Sequence, residues 1–250
     1  MVIKKSTETR STYENVEARC PYCSYWNIYN RASDIKNFKL LIEKIVVCQS
    51  SSCNFKFLIE KDLINPAWQM LILDCEVLKQ RKQYSYCILN LTQSFEMYFA
   101  LFLRVELLYK PFGIEKSYNE NLLNKISDLL FESTRKWPFY LLRNTFINFI
   151  TNKIKSNGLE QSNSIILDLK LYSSEPTNEA IKSIEDNKLS DLILRLKNTQ
   201  VNILRNRIIH KYGYRPTVEE VESSKDETEQ ILFGIDYCLG VLNERRYLYE

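Results

Sequence analysis

Histidine is almost missing from this chain of 250 residues: there is one, His210. Glycine, with five residues, and proline, with six, are also scarce. So few turn-formers disfavour a fold of many short strands and favour long helices. A strong excess of one charge is lacking too. The formal net charge is +3, so any basic surface must be local. The chain has no long apolar run. Its N-terminus, MVIKKSTETRSTYENVEARC, contains nothing like the apolar core of a signal peptide. The most apolar stretch, Tyr84 to Leu108, is interrupted by Gln93, Glu96, Arg104 and Glu106, which argues against a bilayer span. With 45% hydrophobic and 26% charged residues, the composition is that of an ordinary globular protein. A cytoplasmic protein without membrane contact is the expectation.

Cysteine is present, and patterned. Of seven, Cys75, Cys87 and Cys238 are scattered along expected helices, while Cys20, Cys23, Cys48 and Cys53 form two close pairs. Two thiols so near in sequence can bind one ion, and the thiolate is the ligating form. The flanking residues Tyr25 to Tyr29, Lys44 to Val47 and Phe55 to Ile59 alternate as strands do. A segment of about 45 residues has too little core to fold without a staple, and a reducing compartment disfavours disulfides. The expectation is a small β zinc ribbon whose Zn2+ is structural, because four thiolates leave no open position. Lys36, Lys39, Lys44 and Lys56, with Tyr22, Tyr25 and Trp26, could offer nucleic acid a basic, aromatic surface, or be ordinary solvated and packing residues.

The remainder predicts helices. Residues 1–18 have few apolar anchors and suit a mobile arm or a loosely packed first strand. Asn65-Pro66 separates an arm and ribbon (1–65) from an α-helical domain (66–250). Apolar periodicity predicts helices beginning near Trp68 and over Tyr84 to Leu108, the latter ending at Lys110-Pro111-Phe112-Gly113. Further helices are expected over Glu120 to Phe131, Phe139 to Ile154 and Ser164 to Leu171, with a loop from Lys155 to Asn163. From Leu189 an apolar stripe runs on through Leu196, Leu204 and Ile208. Thr217-x-x-Glu220 predicts a capping box opening the last helix. No internal repeat is visible.

The stretch VNILRNRIIHKYGYRPT, Val201 to Thr217, carries the histidine. Asn206 and His210, four apart, share one helix face, and so do Arg207 and His210. Arg205 and His210 are five apart and point about 140° away from each other on a regular helix. For them to meet, the helix must loosen or a second chain must complete the pair. Guanidinium and imidazole suit a phosphate: arginine grips its oxygens, and histidine moves a proton near neutral pH. A lone histidine at a helix C-terminus can equally serve only the helix dipole.

Arg205-Asn206-x-x-x-His210-x-Tyr212 resembles the signature of HEPN domains, a family of α-helical, metal-independent ribonucleases and nucleotide-binding proteins. The resemblance implies a mainly α, HEPN-like helical bundle and an endoribonuclease acting at a composite homodimer site, in toxin–antitoxin or antiphage defence. It assigns His210 as acid/base, Arg205 as phosphate clamp, and Asn206 as orienter. Arg207, Lys211 and Tyr212 become candidate RNA contacts. In one toxin branch the equivalent of Tyr212 is modified with adenylate by a partner nucleotidyltransferase, so this chain could be paired with such an antitoxin. Glu96, on the helix expected to pack nearby, could line the site. The alternative is a non-catalytic RNA- or nucleotide-binding or adaptor module that recruits a partner through the ribbon.

Overall fold

The computed structural model describes residues 3–36, 43–60, 66–114, 120–211 and 213–241. Among these the protein is mainly α-helical, with a small β region at its N-terminus. Strands β1 (Thr9–Ser11), β2 (Asn15–Arg19) and β3 (Trp26–Asn30) form an antiparallel sheet in that order. Strands β4 (Glu43–Val47) and β5 (Lys56–Glu60) form a separate antiparallel hairpin. The three strands expected around the cysteines are therefore present within a residue of their expected bounds.

Of the two expectations for residues 1–18, strand is the one the described residues adopt, and its packing is tight. Val16 and Ala18 are fully buried, alternating with more exposed neighbours as a half-buried strand requires. Two apolar anchors suffice because Tyr29 on the paired strand β3, and Val46, Phe57 and Ile59 on the facing hairpin, supply the rest of the core. Residues 4–6 extend that hairpin, with Leu58 donating its N–H to Lys4 O and Ser6 to Leu58 O.

A second and larger apolar cluster belongs to the helices. Helix α1 (Ala67–Gln80) begins after Pro66, and α2 (Tyr84–Arg104) is the central helix, with Phe95, Tyr98 and Phe99 wholly buried. Aromatic edges interlock there: Phe102 on Phe146 at 4.7 Å and Trp68 on Tyr98 at 5.2 Å. Then come α4 (Glu120–Thr134), α5 (Phe139–Thr151), α6 (Leu159–Leu167), α7 (Asn178–Lys182), α8 (Asn187–Lys197), α9 (Val201–His210) and α10 (Val218–Leu239).

Three local expectations fail for identifiable reasons. Lys110-Pro111 does not end the second helix. A π-helical turn, Val105–Tyr109, resets the register, and the short helix α3 (Lys110–Ile114) starts with Pro111 in its first turn, where a missing N–H costs little. The expected loop at 155–163 is already helical from Leu159, because that leucine is fully buried and anchors the turn. The stripe from Leu189 to Ile208 is divided between α8 and α9. Leu189, Leu192, Ile193 and Leu196 would continue to 200 and 203, but the buried residues are Val201 and Leu204. The break at 198–200 absorbs this slip of one residue, and Thr199 bridges it by donating to Glu227 on α10 at 3.1 Å. No helix is long and apolar enough to cross a membrane among the described residues.

Candidate functional site

Two sites emerge, one in each apolar cluster. The first is the four-cysteine centre. Each hairpin ends in a tight turn that starts just after its first strand: Cys20 follows β2 and Cys48 follows β4. Cys20 N donates to Tyr25 O at 2.9 Å, and Cys48 N donates to Phe55 O at 2.9 Å. The residue after each second cysteine adopts the left-handed conformation, Ser24 at φ 62° and Asn54 at φ 48°. An aromatic follows in both, Tyr25 and Phe55. The two hairpins are thus structural equivalents, a relationship the sequence hides because two residues separate one cysteine pair and four the other.

The sulfurs meet between the hairpins. Cys20 and Cys53 approach to 3.8 Å, Cys23 and Cys48 to 3.6 Å, and all four ligand atoms lie within 4.8 Å of one another. Four thiolates at a tetrahedral ion with bonds of about 2.3 Å would stand about 3.8 Å apart. The group can therefore hold a metal, and all four cysteines are free rather than disulfide-bonded. Burial pushes the Cys48 thiol up to about 12, so a bound cation must displace its proton.

The second site is the C-terminal end of α9. Val201 and Leu204 are buried and seat this helix against α2, which leaves Asn206, Arg207, His210 and Lys211 exposed. The helix is regular through His210 and ends there. Lys211 is extended and donates its N–H to Arg207 O, and Gly213 takes φ 88°, which a side chain would resist. Arg205 donates from Nη1 to Asn206 Oδ1 at 3.0 Å. Glu96, half-buried on α2, lies near enough for the charge of Arg205 to act on it, with no ion pair between them among the described residues. Burial raises its carboxyl above the ordinary range, and the Arg205 guanidinium partly offsets that rise. Arg205, Asn206 and Glu96 therefore lie together. Among the described residues no contact joins Arg205 to His210 and no hydrogen bond reaches His210. Tyr212 lies outside the described residues, as does Lys39.

Arg207 is turned toward the start of α10, with its guanidinium 6.0 Å from the centre of the Tyr214 ring. Tyr214 donates its hydroxyl to Glu220 Oε1 at 2.8 Å. The capping box forms as the sequence predicts: Glu220 N donates to Thr217 Oγ1, and Thr217 N donates to Glu220 Oε2. Beside these residues a cleft of about 450 Å³ runs between α9 and α10, walled by Arg207 and by Glu219, Glu220 and Glu227. Sequence reasoning missed this acidic wall and the double duty of Glu220. The signal was the run of acidic residues in Glu219-Glu220-Val221-Glu222.

No family model matches this chain, and comparison with curated proteins and with solved structures found no similar protein. The geometry and the motif are what bear on function.

Proposed function

We propose that this protein is a metal-independent endoribonuclease of the HEPN type, acting as a toxin or defence effector, with structural zinc in its four-cysteine centre. The observation that carries this reading is the presentation of Asn206 and His210 to solvent at the end of α9, beside an Arg205 that donates to Asn206. In such a reaction the 2′-hydroxyl attacks the adjacent phosphorus and the bond to the 5′-oxygen breaks. The 2′-proton goes to a base, an acid returns one to the 5′-oxygen, and cations stabilise the crowded phosphate. His210 is the proton-transfer group, and Arg205 holds the non-bridging oxygens.

One histidine per chain provides one such group, and Arg205 and His210 point to different sides of α9. A second copy supplies both from across a two-fold axis. The exposed apolar residues of α9 fit that arrangement: Ile203 (44% exposed) shares the face of Asn206 and His210, and Ile209 (48%) shares that of Arg205.

A second reading, a non-catalytic binding or adaptor module, draws support from Glu219, Glu220 and Glu227, which would repel a polyanion on one side of α9. Purified protein incubated with total RNA in EDTA separates the two, with bound zinc measured in the same samples. Cleavage leaving 2′,3′-cyclic phosphate ends, absent in Arg205→Ala and His210→Ala, is the expected result. A folded, zinc-loaded dimer that leaves RNA intact would favour the binding module.

A further inference from the structure

We propose that the metal-binding end of the ribbon is a platform for single-stranded nucleic acid, with Tyr25 and Phe55 as its stacking rings. This rests on the equivalence of the two turns and goes beyond the cleavage reading. Each turn places an aromatic two residues after its second cysteine, and both are largely in solvent: Tyr25 is 50% exposed and Phe55 46%. Neither supplies core to the ribbon. Phe55 is held flat against Tyr22, with ring centres 4.9 Å apart and planes 25° apart, so a ring face is pre-set rather than mobile. Stacking on such a face is how a protein takes up unpaired bases without reading their sequence.

Charge is segregated along both hairpins in the sense a phosphate chain requires. Between Glu17 and Asp34, and again between Glu43 and Glu60, there is no acidic residue, and these are the segments that carry the turns. The cations at this end are Lys4, whose ammonium sits 5.0 Å over the Tyr22 ring, with Arg19 and Lys56, all exposed. No carboxylate pairs with any of the three among the described residues. On the outer face of the three-stranded sheet, Arg19 stands opposite Trp26 in register, and Arg10, itself paired with Glu8 at 2.7 Å, covers Trp26 at 4.7 Å. Cations near four thiolates can be explained by the metal site alone. Two solvent-facing rings at matching positions of both turns cannot.

The test uses the full chain carrying His210→Ala, loaded with zinc, and a fluorescein-labelled 12-nucleotide 2′-O-methyl RNA without self-complementarity. That RNA has no free 2′-hydroxyl, so binding is read apart from cleavage. We expect the single strand to bind, and Tyr25→Ala and Phe55→Ala each to weaken it by about tenfold with zinc content unchanged. Arg19→Ala with Lys56→Ala should flatten the dependence of binding on salt. The proposal is overturned if the ring variants bind like their parent, because the RNA is then held by the helices, a result that leaves the nuclease reading intact. It is equally overturned if the annealed duplex binds as tightly as the single strand, or if nothing binds and the rings serve a protein partner instead.

Discussion

Cys20 and Cys53 are 33 positions apart in the chain, yet their sulfurs lie 3.8 Å from each other, each contributed by a different hairpin. The cross-pairing of Cys23 with Cys48 has the same character. Neither close pair in the sequence is a unit by itself: the four sulfurs gather between the hairpins, which an apolar core and the hydrogen bonds of Tyr29 and Gln49 also join. Replacing the buried Cys48 with serine should abolish stoichiometric zinc in native mass spectrometry and open residues 1–60 to protease. The helical signal at 222 nm should persist, because the helices have their own apolar cluster. Acid should release the metal, since protons compete for the thiolates. Zinc retained by Cys48→Ser would remove this centre from the fold's supports.

Glu96 gives a stability and an activity prediction of opposite sign. Burial raises its pKa, so the folded protein binds a proton that the unfolded chain has already released. The resulting stabilisation is complete below the ordinary carboxylate value of about 4.3 and is lost as pH rises through the folded-state value. Glu96→Gln should therefore raise the melting temperature at pH 7 and leave it unchanged near pH 4. Cleavage should fall by about tenfold if the proposed site uses the nearby carboxylate to orient Arg205, an electrostatic positioning effect of ordinary size. A variant with wild-type cleavage would remove Glu96 from the site.

The exposed isoleucines of α9 make the composite site testable without touching the motif. Ile203→Glu places a charge on the proposed two-fold contact. Sedimentation should then report a species of 29.7 kDa, against twice that mass for the dimer proposed for the wild type. Cleavage should disappear with the dimer while circular dichroism stays the same. A monomeric Ile203→Glu that still cuts RNA would show that one chain suffices.

Thr217 isolates the turn between α9 and α10. Its hydroxyl accepts from Glu220 N at 3.2 Å, and Thr217→Ala should cost about 1 kcal/mol of stability, with Thr217→Ser recovering most of it. Thermal melts are the readout. Glu220→Gln should cost activity as well if the Tyr214 contact sets the path of the chain beyond His210.

What could be read from the sequence alone was what depends on chain neighbours. The strands beside the cysteines, the central helix and the capping box all follow from alternation, periodicity and terminal residues within a few positions. The early strands were obscured because Thr9–Ser11 and Asn15–Arg19 carry few apolar residues of their own and depend on Phe57 and Ile59 across the core. The equivalence of the two turns was masked by their unequal spacing.

By itself, then, the sequence determined the helical class, the four cysteines Cys20, Cys23, Cys48 and Cys53 that could hold a metal, and a motif that puts Asn206 and His210 on one helix face. Only the tertiary structure decided that the sulfurs pair across hairpins, that α8 and α9 are separate helices, and that Glu96 comes within reach of the charge of Arg205. The reason is that helix and strand signals are paid out locally along the chain. Contacts between distant residues are selected by which apolar faces pack together, and no spacing within a single segment encodes that choice.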